Sequence, residues 1–240
     1  MVTPPPAAGY HDPAHFVLIP GAGCDADYWG ALGTALTSHG RSSTAVDLPC
    51  TDERAHLEDY ASAVVHAIQG DLAAHGRDIH LVAHSFGAFT AGLVPDRLPV
   101  HRLTLISPMI PAPGESGADW WAATDQDAAH REAAEAAGLD LPLGISDLFY
   151  NGLTADQREA ATAWERDQAD AAFTQPWPGA RWPSTPTTVL AFAQDRLFPP
   201  AFVARIAADR LGTTAPVQQV PGGHMGMVSH PVELAAAVIG

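Results

Sequence analysis

A serine hydroxyl is a weak nucleophile unless an imidazole takes its proton and a carboxylate orients that imidazole. Three residues of this chain could form such a set. Ser85 stands in Ala83-His84-Ser85-Phe86-Gly87, where an apolar run that reads as a strand (79–84) stops abruptly. Asp195 follows a second such run, TTVLAFAQ at 187–194, and His224 ends the turn Pro221-Gly222-Gly223-His224. Each therefore falls where a strand ends. Residues of the smallest size stand two before and two after Ser85, as a turn must have if it is to expose the hydroxyl while other chain passes close by. This is the G-x-S-x-G nucleophile-elbow pattern with Ala83 in the first position. A helix starting after Ser85 aims its N-terminus at the same place, so the Phe86 N–H can meet developing negative charge.

The plainer readings are a turn that happens to carry a hydroxyl, a helix cap at Asp195 and a turn residue at His224. All three in the order Ser, Asp, His favour the catalytic reading. Other candidates fit less well: the His84 side chain is expected to point away from the elbow, His230 to lie on the surface beside Pro231, and Asp209 to fall inside a helix. A second oxyanion donor is expected near the end of the first strand, where Pro20-Gly21-Ala22-Gly23 supplies it through Ala22. Without chemistry, the same stretch is a Gly-rich turn.

These residues need a scaffold. Residues 16–20, 43–48, 79–84, 102–107, 186–195 and 216–220 read as strands. Between them lie helical patterns: Tyr28, Trp29, Leu32 and Leu36 at helical spacing, one apolar face over 52–69, then 86–94, 200–211 and a closing helix from Pro231. Alternation of this kind predicts an α/β fold, a mostly parallel central sheet with helices on both faces. The alternation breaks from about 111 to 184, which carries Ala-rich helical stretches, Pro-rich connectors and five of the six tryptophans but no strand pattern. That segment is either a helical layer with tryptophan in its core or a lid whose apolar underside shapes a pocket. The expected organisation is a tail over 1–15, a core over 16–110 and 185–240, and a helical insertion over 111–184.

Composition narrows the function classes. The 240 residues are 47% hydrophobic, ample for one sizeable core, and contain no uninterrupted apolar stretch long enough to span a bilayer. A formal net charge of −15 argues against nucleic acid or an anionic membrane as partner. All 12 basic residues are arginine, which excludes Schiff-base chemistry on lysine. The start of the chain lacks the pattern of a secretory signal. Two cysteines, Cys24 and Cys50, are too few for a disulfide framework; free thiols and a cytoplasmic setting are expected, with a redox-sensitive pair as the alternative. His11 and His15 are four apart in the proline-rich tail and lack a third ligand, so no metal and no cofactor is expected.

With these pieces in hand, the sequence resembles the α/β-hydrolase superfamily over about residues 16–239. The matching segments are FVLIPGAG, AVDLPC, LVAHSFGAF, VLAFAQDRLFPP and PGGHMGMVSHP. It is most similar to small bacterial hydrolases related to plant methyl esterases and hydroxynitrile lyases. The resemblance implies a Ser85–Asp195–His224 triad with Ala22 and Phe86 as oxyanion donors, and it implies no particular substrate. Two departures stand out. Pro20 occupies a place where many members carry histidine, which removes a polar group that could organise the loop, and Ala83 replaces the first elbow glycine. The expectation is a carboxylesterase-like serine hydrolase, a monomer or homodimer, acting on a small and largely apolar ester. Gly21, Trp120, Trp121, Phe149 and Met225 are expected to contact that substrate. The rival expectations are lyase or thioesterase chemistry on the same triad, and a small-molecule receptor that retains the fold.

Overall fold

The computed structural model describes residues 14–75, 78–212 and 217–240. Its central sheet has six parallel strands in the order β2-β1-β3-β4-β5-β6: β1 (His15–Ile19), β2 (Ser43–Ala45), β3 (Ile79–His84), β4 (Arg102–Ile106), β5 (Thr187–Phe192) and β6 (Gln218–Val220). The connecting helices are α1 (Gly30–Ser38), α2 (Leu57–His75), α3 (Gly87–Ala91), α9 (Pro200–Leu211), α10 (Gly226–Ser229) and α11 (Pro231–Ile239). A further five, α4 (Gly117–Ala123), α5 (Gln126–Ala136), α6 (Ile145–Phe149), α7 (Ala155–Ala161) and α8 (Asp170–Thr174), lie between β4 and β5.

Strands β1 and β3 are buried along their whole length. Burial on both faces is why they read as continuous apolar runs rather than as alternating ones. Side chains still alternate between two cores. Val17, Ile19, Leu81 and Ala83 join one core with Tyr60 and Val64 of α2 and Phe202 and Ile206 of α9. Phe16, Leu18 and Val82 join the other with Leu32 and Leu36 of α1 and Leu234 and Val238 of α11. Burying each such aliphatic side chain contributes about 1.5–3 kcal/mol.

The expected alternation of strands and helices is present, with local corrections. His15 does not belong to the tail. It is the first residue of β1, 3% exposed, with its ring nitrogens 2.9 Å from the hydroxyls of Ser42 and Thr44. His11 and the expected tail up to residue 13 lie outside the described residues, as does the expected start of the last strand at 216. Strand β2 stops at Ala45, short of the expected 48. Val46 makes one more bond to the Leu18 carbonyl, after which Asp47 accepts from the Ala26 N–H instead of continuing the ladder. Among the described residues no helix is long and apolar enough to cross a membrane.

The five helices between β4 and β5 are laced to the rest of the molecule by backbone. The Asp25 N–H donates to the Trp164 carbonyl, the Arg166 N–H to Gly23 and the Ala169 N–H to Cys50. The Gly23 N–H in turn donates to Gln168 Oε1, and Arg166 pairs with Asp25. The loops that follow β1 and β2 are thus held by chain about 140 and 120 residues downstream, respectively. Tryptophan serves largely as core here: Trp120, Trp164 and Trp177 are buried, with the Trp120 indole donating to the Ile110 carbonyl and that of Trp177 to the Phe89 carbonyl.

Candidate active site

The turn after β3 has the form its residue types suggest. Ser85 takes φ +52°, a left-handed conformation that a residue other than glycine adopts at a cost of about 1 kcal/mol or more. Backbone bonds to the end of β4, the loop after it and α3 hold it there: the Ser85 N–H donates to the Ile106 carbonyl, and the Ser85 carbonyl accepts from Met109 and Ala88. The need for glycine at 87 is steric. A Cβ there would lie 2.5 Å from the Pro20 carbonyl oxygen and 2.9 Å from that of Ile19. A Cβ on Gly21 would lie 3.2 Å from Ser85 Cβ. The loop after β1 and the turn after β3 are therefore in backbone contact.

Asp195 follows β5, 4% exposed, and both carboxylate oxygens are occupied. Oδ1 accepts from the N–H groups of Leu197 and Phe198, each at 2.9 Å, and Oδ2 accepts from His224 Nδ1 at 2.9 Å. That bond places the His224 proton on Nδ1 and leaves a lone pair on Nε2. Nε2 is buried and has no hydrogen-bond partner among the described residues. The imidazole is boxed by the edges of Phe149 and Phe198 and by His84, at centroid distances of 5.4, 5.2 and 4.6 Å. Its loop is tied to the Asp195 loop: the Gly222 N–H donates to Gln194 Oε1 and the Gln194 N–H to the Gly222 carbonyl. Gly223 is required because a Cβ there would meet the Asn151 carbonyl at 2.2 Å.

A cavity of about 340 Å³ opens over these groups. Ser85, His224, Gly21, Ala22, Trp121, Phe149 and Met225 line it. Asp195 stands behind His224 and does not line it. The Phe86 side chain is buried against Phe89 and Phe173, and its backbone forms the cap of α3. Trp120 is a correction. It does not reach the cavity, because its ring packs between Phe198 and Phe202 with its N–H satisfied by Ile110. Its neighbour Trp121 takes the wall position.

His84 is a second correction. Its ring is fully buried, lines the cavity and rests on His224. Strand parity explains this: His84 alternates with Ala83 and so faces the side on which the His224 loop returns. Burial, reinforced by the His224 ring, holds the His84 imidazole well below its ordinary value and therefore neutral. Asn151, whose side chain donates to the Gln194 carbonyl, and Gln168 were also not anticipated. Both belong to long-range contacts that leave no local pattern.

Cys24 also lines the cavity, as a free thiol. Burial, together with Cys50, Asp25 and Glu165, pushes its thiol up to about 12. At pH 8 the thiolate is then about one part in ten thousand, and alkylation by iodoacetamide should run on the order of a thousandfold slower than for an unperturbed thiol. A mass-spectrometric time course on the native protein measures this; labelling at the rate of free glutathione would contradict it. Among the described residues no three His, Cys, Asp or Glu side chains are grouped to hold a metal ion.

Residues 16–237 match the model of the alpha/beta hydrolase family. The chain belongs to that family. It is 31% identical over 110 residues to a probable esterase of Oryza sativa subsp. indica, a match that covers 42% of this chain and 41% of the rice protein. The chain therefore spans less than half the length of that relative. It is 23% identical over 247 residues to norfluorocurarine synthase 1 of a Strychnos species, covering 92% of each. Among solved structures, an extracellular α/β-hydrolase from a Paenibacillus species superposes with a TM-score of 0.72 at 21% identity, over 95% of this chain and 98% of that one. Polyneuridine aldehyde esterase superposes with a TM-score of 0.71 at 22% identity over the same shares. These superpositions establish the hydrolase fold.

Proposed function

We propose that the protein is a serine esterase acting on small, uncharged carboxylic esters. The observation that carries this reading is the buried Asp195–His224 pair, whose imidazole keeps Nε2 unpartnered and lines the same cavity as Ser85 at its left-handed turn. In this reading His224 Nε2 accepts the Ser85 proton as Oγ bonds to the ester carbonyl carbon. The N–H groups of Ala22 and Phe86 hold the resulting oxyanion. When the tetrahedral intermediate collapses, the C–O bond to the alcohol breaks and His224 returns the proton to the departing oxygen. Water then gives a proton to His224 and attacks the acyl-enzyme, which releases the acid and restores Ser85.

The walls support the substrate class. Trp121, Phe149 and Phe173 come from α4, α6 and α8, so the segment 111–184 acts as the lid over a core formed by 16–110 and 185–240. The cavity lies at the small end of the range for ligand sites. Asp170, exposed at its wall, and the absence of any arginine among the residues lining it disfavour esters that carry a carboxylate. The free state of Cys24 and Cys50 suits a reducing compartment such as the cytoplasm.

The test is turnover of p-nitrophenyl esters from acetate to laurate, beside a succinate half-ester, with fluorophosphonate labelling of the protein. The expected result is an optimum among the short neutral esters, a rate at least tenfold lower for the anionic one, and label on Ser85. Failure to hydrolyse any ester, with no label on Ser85, would sink the reading in favour of a lyase or a receptor.

A further inference from the structure

A loop that presents an oxyanion donor must be held to a fraction of an ångström, because a donor displaced by 1 Å loses most of its effect on the transition state. Pro20, at the head of that loop, has no side-chain hydrogen-bonding group and no N–H. The polar anchor comes from eight residues downstream. Tyr28, 2% exposed in the 3-10 turn Ala26–Trp29, directs its hydroxyl back under the loop. The Gly21 N–H donates to Tyr28 Oη at 3.2 Å, and Oη lies 3.4 Å from His84 Nδ1. Packing against Trp29 and Trp164, with ring centroids at 4.6 and 5.8 Å, fixes the phenol.

We propose that Tyr28 is a positioning residue for catalysis: its hydroxyl accepts from Gly21 and donates to His84, which clamps the oxyanion loop onto the nucleophile turn. This rests on the esterase reading. The clamp joins the two loops that carry the two oxyanion donors, Ala22 beside Gly21 and Phe86 two residues after His84. It also engages the Gly21 amide, leaving that of Ala22 as the loop's donor to substrate. In the proposed clamp the one phenol proton goes to His84 Nδ1, and the imidazole carries its own proton on Nε2. Both groups keep these forms across the working pH range, since burial raises the phenol and lowers the imidazole. The contact is tight: a Cβ on Gly21 would lie 3.2 Å from His84 Nδ1.

The test compares wild type, Tyr28→Phe and Ser85→Ala on the best p-nitrophenyl ester, normalised to sites titrated by fluorophosphonate in the two forms that retain Ser85. Tyr28→Phe removes one oxygen atom and should lower kcat about ten- to a hundredfold with KM within twofold. It should weaken a trifluoromethyl ketone, which needs the oxyanion donors, by a similar factor. An unchanged kcat per titrated site, whatever the melting temperature does, would overturn the proposal. A second pair decides if Tyr28→Phe fails to fold. His84→Gln keeps an acceptor for the phenol and should stay within a few-fold of wild type, whereas His84→Leu should fall at least tenfold below it; equal rates would overturn the clamp. An active Ser85→Ala instead removes the esterase reading itself, whereas an inert Ser85→Ala beside an unimpaired Tyr28→Phe removes the clamp alone.

Discussion

Ser85→Ala is expected to lower kcat on a neutral p-nitrophenyl ester by about a millionfold, to the residual rate that the oxyanion donors and substrate binding sustain on their own. The size follows from what the hydroxyl does. Without Oγ no acyl-enzyme forms, and the lone pair on His224 Nε2 is left with only water to deprotonate. The fold should be indifferent. The hydrogen bonds that hold the turn, from the Ser85 N–H to Ile106 and from Met109 to the Ser85 carbonyl, are made by backbone and survive the substitution. Alanine carries the same left-handed strain as serine at φ +52°. The melting temperature should therefore match wild type while activity and fluorophosphonate labelling vanish together. Retention of even one per cent of the wild-type rate would mean that Ser85 is not the nucleophile. Cys24 would not be the substitute, since burial keeps its thiol protonated.

Asp195→Asn should cost about ten-thousandfold in kcat with little change in KM, although the two side chains have nearly the same shape. Hydrogen-bond polarity sets the size of this loss. Two N–H groups, from Leu197 and Phe198, converge on Oδ1, and an NH2 turned toward them would set a donor against two donors. The amide oxygen must keep that side. The NH2 then faces His224 Nδ1, which can accept only if its own proton moves to Nε2. That is the atom that must receive the Ser85 proton, so the imidazole is held in the tautomer that cannot act as base. Kinetics on this variant, with an amide–imidazole geometry checked by nuclear magnetic resonance of the ring protons, measure the effect. A loss below tenfold would show that Asp195 does not set the tautomer.

Much of the architecture was legible because its signals are local. Buried parallel strands are continuous apolar runs, and the turns after β3, β5 and β6 announce themselves through residues of the smallest size and through Ser85, Asp195 and His224. What escaped depends on groups distant in the chain. The Trp120 and Trp121 pair reads as two equal candidates for a pocket wall; only the packing of Phe198 and Phe202, some 80 residues later, decides that Trp120 is core and Trp121 is wall. Tyr28 reads as one more apolar position on a helix face, and nothing beside it says that its hydroxyl meets Gly21 and His84. His84 was misplaced because alternation along β3 predicts which face it takes but not that the loop of His224 returns to that face.

The lacing of Gly23 and Asp25 to residues 164–168 bears on how the protein comes into being. The hydrogen bond from Gly23 to Gln168 spans 145 positions, and the contact between Arg166 and Asp25 spans 141. As a chain leaves the ribosome from its N-terminus, strand β1 and the residues of its loop emerge first, yet the partners that shape that loop emerge some 140 residues later. Contacts of such high order form late, because the entropy of closing the intervening chain must be met before they return any stabilisation. On the esterase reading, the nascent molecule thus carries Ser85 long before its oxyanion loop is in place, and catalytic competence arrives late in folding.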